Sequence, residues 1–121
     1  MAALTINEID SAGVDYSDAL ETAAAAGDTI KEDGLQRTFL AVENGSGSSV
    51  DVTITAQDTT AKAPGVGEVT VSDMVVSVPA SGNRFIGPFP AAFIDASGNV
   101  AVGYSDETSV TVAALRLPRA D

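Results

Sequence analysis

A chain of 121 residues with 45% hydrophobic content fits one domain with a core of its own. It has no Cys, His or Trp, which excludes disulfides, thiolate and imidazole metal sites, and both Ser-His-Asp and Cys-His catalysis. With 17 Asp+Glu against 6 Lys+Arg the net charge is −11, a field that repels phosphate backbones and argues against nucleic acid as a partner.

No stretch approaches the roughly 18 apolar residues of a membrane span, and the N-terminus MAALTINEID lacks the basic and apolar regions of a secretory signal. Neither a membrane partner nor a cleaved leader is expected. Lysine is scarce (Lys31 and Lys62), while Asp and small apolar residues abound. That balance points to a halophilic, salt-screened surface; a GC-rich coding bias would produce the same composition.

Residues 1–26 read as an N-terminal arm or first strand carrying Leu4, Ile6 and Ile9. Within them, 17–26 (SDALETAAAA) suggests a short helix capped by Ser17, with an Ala-rich strand as competitor. A Gly27-Asp28 turn precedes a short strand over 29–31. Residues 38–42 (TFLAV) are apolar on both faces, the pattern of a central strand. Asn44-Gly45 opens the loop NGSGSS, and 50–56 alternates with Val50, Val52, Ile54 and Ala56 on one face. The two runs are thus expected to pair as an antiparallel hairpin.

Residues 57–67 (QDTTAKAPGVG) form the longest loop-like stretch, a natural recognition surface. Runs 69–72 and 74–78 read as a strand pair or as one strand bulged at Asp73. After a strand at 84–86, Gly87-Pro88-Phe89-Pro90 marks a sheet edge or a corner between sheets, because its prolines cannot donate to a ladder. Phe39 and Phe85 are assigned to the core, whereas Phe89 and Phe93 either plug the end of the sandwich or face a partner chain. The turn DASGN (95–99) leads into a strand over 100–104.

The terminal strand, 108–117, changes its apolar face near Ala113-Ala114, which suggests a bulge. Both of its faces are apolar, so both need cover, from a neighbouring subunit or from the fold itself. About eight short strands at this spacing indicate an all-β chain: a single antiparallel β-sandwich or barrel, jelly-roll or tulip-like, over residues 1–121.

Little here resembles catalytic chemistry. Carboxylate neighbours such as Asp15 with Asp18, or Asp106 with Glu107, lie in turn-like solvated segments. The Asp95–Asn99 turn resembles half a calcium loop without its bidentate Glu, and glycines 45, 47, 65 and 67 lack the Lys and helix of a phosphate loop. The expectation is a non-enzyme with no catalytic residue, no cofactor and no metal. Its contact residues are expected to be Phe89, Phe93, Arg116 and Leu117.

Several phrases recur together in this order: Gly27-Asp28-Thr29, Asp33-Gly34 with Arg37-Thr38-Phe39-Leu40, Val52-Thr53-Ile54, Ile86-Gly87-Pro88-Phe89-Pro90, and Tyr104-Ser105 through the ending TSVTVAALRL. On these, residues 22–117 resemble a family of small virion-associated proteins of tailed viruses of bacteria and archaea. Two features depart from that pattern, the strong acidity and the long connection over 61–73.

The resemblance implies a capsid decoration or cement protein on the outer surface of a virus head. Its partners would be the major capsid protein and further copies of itself, in a homotrimer first and a pentamer as the alternative ring. The alternative reading, from a different class, is a vertex turret or spike module that binds a host receptor or glycan, with 57–67 as its recognition surface.

Overall fold

The computed structural model describes residues 2–32, 37–57, 60–63, 65 and 67–118, with backbone alone for 60–63 and 68–70. In chain order the first six strands are β1 (Ala2–Ala3), β2 (Ile6–Glu8), β3 (Glu21–Thr22), β4 (Asp28–Lys31), β5 (Thr38–Asn44) and β6 (Val50–Ile54). The rest are β7 (Thr60–Ala63), β8 (Gly67–Thr70), β9 (Met74–Val78), β10 (Asn83–Ile86), β11 (Asn99–Tyr104) and β12 (Val110–Arg116). They form an all-β sandwich. One sheet has the order β1-β4-β11-β6-β9; the other has β10-β5-β12-β2, with β3 also on β12.

The apolar face of each strand builds the core between the sheets. Ile30, Val52, Ile54, Val100 and Val102 from the first sheet meet Leu40, Val42, Val110, Val112 and Ala114 from the second. Each of the Val, Leu and Ile side chains among them contributes about 1.5–3 kcal/mol on leaving water. The alternation read at 50–54 is seen directly: Val50, Val52 and Ile54 are buried and Asp51 is exposed.

Two pairings are parallel, β1 with β4 and β2 with β12. A single pass of chain makes both. It runs along the first sheet, buries Leu4 as the Leu4 N–H donates to the Thr29 carbonyl, and continues along the second. The N-terminal stretch thereby closes one side of the sandwich.

The expected hairpin between 38–42 and 50–56 does not form. β5 and β6 lie in different sheets, and 44–49 is a crossover between layers. Neither Asn44 nor Gly45 adopts the positive φ that a tight two-residue hairpin turn requires. Asn44 is instead buried, its Nδ2 donating to the carbonyls of Ser48, Val78 and Pro79 while its Oδ1 accepts from the Ser46 N–H and hydroxyl. One amide so ties the β5–β6 crossover to the end of β9.

Neither expected bulge is present. The β12–β5 register runs unbroken from Val110↔Asn44 to Arg116↔Thr38. β8 pairs with β7 in a separate ribbon, whereas β9 joins β6, so Asp73 is a link between sheets and not a bulge. Its Oδ1 accepts the Ala56 N–H at 2.8 Å. The 57–67 stretch is correspondingly half strand, since β7 occupies 60–63; residues 58, 59, 64 and 66 lie outside the described ones.

A short helix does form, α1 (Tyr16–Ala19), but its cap is Asp15, whose side chain accepts the Asp18 N–H, and not Ser17. α1 belongs to a layer over the outside of the second sheet. Ile9, Val14, Tyr16, Ala19 and Leu20 pack there on Ala41, Ala113 and Leu115. The second apolar face of β12 is therefore covered from within the same chain, as an internal strand position requires.

Candidate docking face

Along β10 the period of two sends Ile86 into the core and Phe85 out. Phe85 is 72% exposed, which overturns its assignment to the core. Its ring stands edge-on to Phe39 of β5, with centroids 5.7 Å apart and planes at 89°. Beyond β12, Leu117 is 48% exposed and is held by a two-way tie: its N–H donates to the Arg37 carbonyl (2.8 Å) and its own carbonyl accepts from Arg37 Nη1 (3.0 Å).

Gly87 lets the chain leave β10 directly against Phe39. Its φ is +136°, and a Cβ there would lie 2.9 Å from the Phe39 Cβ. The result is a groove of about 160 Å³ lined by Arg37, Phe39, Phe85, Gly87, Pro88 and Leu117. It sits near the second side of the sandwich, where β9 and β10 are the outermost strands of their sheets.

Of the residues expected to make contacts, Leu117 is on this face. Phe89 and Phe93 are not: both are buried in the main core, Phe89 at 0% exposure. The chain turns inward after the cis Gly87-Pro88 bond through a 3₁₀ turn (Ala91–Phe93), closed by the Phe93 N–H donating to the Pro90 carbonyl. The proline segment is the corner that the sequence suggests, and its aromatic rings fill the end of the sandwich. Arg116 is half-buried. Its Nε donates to Thr38 Oγ1 and its Nη2 to the Lys31 carbonyl, so the guanidinium joins the two sheets.

One polar pair went unread in the sequence. Asp28, fully buried on β4, accepts the Tyr104 hydroxyl and the Ala24 N–H on Oδ2. Its Oδ1 has no hydrogen-bond partner among the described residues. Burial, the hydrogen bond to Asp28 and the charge of that carboxylate all push the Tyr104 phenol well above its ordinary value. No local motif announces two groups 76 residues apart.

The sign of the pH effect follows. A phenol whose pKa is raised by folding stabilises the fold fully below about pH 10, and that stability is lost as pH rises further. Above pH 10 the native chain is expected to lose up to about 1.4 kcal/mol per pH unit through this group. Melting followed from pH 7 to 11 checks this, with Tyr104→Phe showing a flatter alkaline limb. The variant itself is expected to be about 2 kcal/mol less stable at neutral pH, because the buried carboxylate loses a donor.

The carboxylates considered for chemistry serve turns. Asp95 Oδ1 accepts from the N–H groups of Ser97 and Asn99, and Asp106 Oδ1 from that of Thr108. No group of three or more acidic side chains that could hold a metal ion occurs among the described residues. A second, polar groove of about 290 Å³ lies between Glu43, Asn44, Ser81, Asn83, Ser109 and Thr111. Among the described residues no helix is long and apolar enough to cross a membrane.

With this geometry as background, no family model, no curated protein and no solved structure matches the chain.

Proposed function

We propose that this chain is a structural virion protein, a non-enzymatic decoration or cement module that binds the outer surface of a tailed-virus head as a symmetric oligomer. The observation that carries this reading is the gathering of exposed apolar side chains on one face: Phe85 and Leu117 are two of the three large hydrophobic residues exposed among the described ones. Exposed aromatic and aliphatic anchors beside an arginine have the chemistry of a protein-binding surface. The phrase-level resemblance supplies the setting, and a ring of such modules spanning several capsid subunits would hold them together by avidity.

The test is cryo-electron microscopy of virus particles from cultures of the encoding organism, with the chain identified by labelling. Density is expected over every face of the head. Recovery of bound chain should rise from tens of millimolar toward molar salt, since a net charge of −11 per copy repels its neighbours less as the screening length shrinks. Label at one vertex or on the tail would overturn decoration in favour of a receptor- or glycan-binding spike, for which the Ser81–Ser109 groove offers a polar surface.

A further inference from the structure

Of the three large hydrophobic residues exposed among the described ones, Val75 has no part in the groove. It lies on β9, the outermost strand of the first sheet, and among the described residues no strand pairs with the free side of β9. Which backbone groups face that side follows from the neighbouring ladders. The Thr55 N–H donates to the Ala101 carbonyl and the Ser105 N–H to the Asp51 carbonyl, so residues 51, 53 and 55 bond toward β11. Val50, Val52 and Ile54 then bond toward β9, where they oppose Val78, Val76 and Met74. The N–H and C=O groups of Val75 and Ser77 therefore point away from the sheet.

The other sheet edges are short or blunted. β1 and β3 have two residues each and β2 three, while β10 carries Arg84 and stops at the cis Gly87-Pro88 bond. β9 runs for five residues, MVVSV, with no charge, no proline and an unbroken register on β6. An edge of this kind is a template for another strand.

We infer that this strand is β9 of a second copy, paired antiparallel about a two-fold axis at Val76. Val75 then opposes Ser77 of the second copy, each donating to and accepting from the other, and the free backbone groups of both copies are satisfied. Moving the axis by one residue destroys the match. One way sets Ser77 against Asp73, outside the strand; the other sets Val75 against Pro79, which has no N–H. In the matched register Pro79 stands opposite Asp73, so the ladder stops there at both ends and no carboxylate faces another. A charge-free edge is also where two chains of net charge −11 can meet without opposing like charges. The inference deepens the reading of the chain as an oligomeric shell module, rests on it for the setting, and names the contact through which copies join.

The experiment uses introduced cysteines, which report the register because the chain has none of its own. Residues opposed in a hydrogen-bonded antiparallel pair have Cα atoms about 5.5 Å apart, within disulfide range. Val75→Cys mixed with Ser77→Cys and oxidised with diamide should give a covalent dimer, and either variant alone about tenfold less, since its cysteine then faces the native residue. The reaction is run at about 1 M salt, where the short screening length damps net repulsion and leaves backbone bonds intact. Ser77→Pro removes a donor that serves no bond to β6 and puts a ring in the path of the second strand. It should keep the native circular dichroism and weaken dimerisation about tenfold or more in sedimentation equilibrium.

A native chain that stays monomeric, a mixture that cross-links no better than the single variants, or a folded Ser77→Pro variant that associates like the native chain overturns the inference. Should Ser77→Pro unfold, the cysteine mixture decides alone. The two readings fail separately. Decorated particles whose cysteine mixture does not cross-link sink only this contact, whereas a register-specific covalent dimer with no particle binding sinks only the capsid role.

Discussion

Phe89→Ala is expected to cost about 3–5 kcal/mol, a large part of the roughly 5–15 kcal/mol by which a domain of this size is stable. The ring is fully buried in the main core at the point where the chain passes from β10 to the 3₁₀ turn. Truncation leaves a cavity between two sheets whose backbones are held by their ladders and cannot collapse into it. Urea denaturation gives the number directly. Phe85→Ala is the companion measurement: at 72% exposure that side chain has little transfer energy to lose, and its loss should stay below about 1 kcal/mol. Should Phe89→Ala keep the native denaturation midpoint while changing the oligomeric mass, the proline corner would be an interface after all.

Asn44→Ala is expected to cost about 3 kcal/mol, with a matching drop in the denaturation midpoint. Its Nδ2 serves three carbonyls, at 2.7 Å to Ser48 and 3.2 Å to both Val78 and Pro79. Removal leaves acceptors at a buried junction without their donor and frees the crossover between β5 and β6. Asn44→Asp separates the causes. The carboxylate preserves shape and still accepts from Ser46, but it cannot donate to the carbonyls and buries a charge, so it should be at least as damaging as alanine. A variant with Asp at 44 as stable as the native chain would mean that the Ser46 contacts, not the three carbonyls, hold the corner.

Strand identity was legible wherever side chains alternate. Val50, Val52 and Ile54 were readable as one inward face, and residues 38–42 as a strand buried on both sides, because period two and apolar runs are local properties. The inversion of Phe85 and Phe89 was half legible. With Ile86 inward, alternation alone puts Phe85 outward, a signal outweighed by the ordinary preference of phenylalanine for the interior. Phe89 lies past the end of β10 at Ile86, where a period-two count no longer says which way a side chain points.

By itself the sequence determined the class of the fold, the positions of most strands and turns, the acidic surface and the absence of thiol and imidazole chemistry. Each of these depends on composition or on neighbours a few residues apart. Only the tertiary structure decided which sheet each strand joins, that β5 and β6 lie in different sheets instead of pairing, that residues 9–20 cover β12, and that Asp28 meets Tyr104. Alternation records that a face is buried, not what buries it. A strand covered by its own N-terminal layer and one covered by a neighbouring subunit carry the same pattern, so the partner is decided by contacts between residues far apart in the chain.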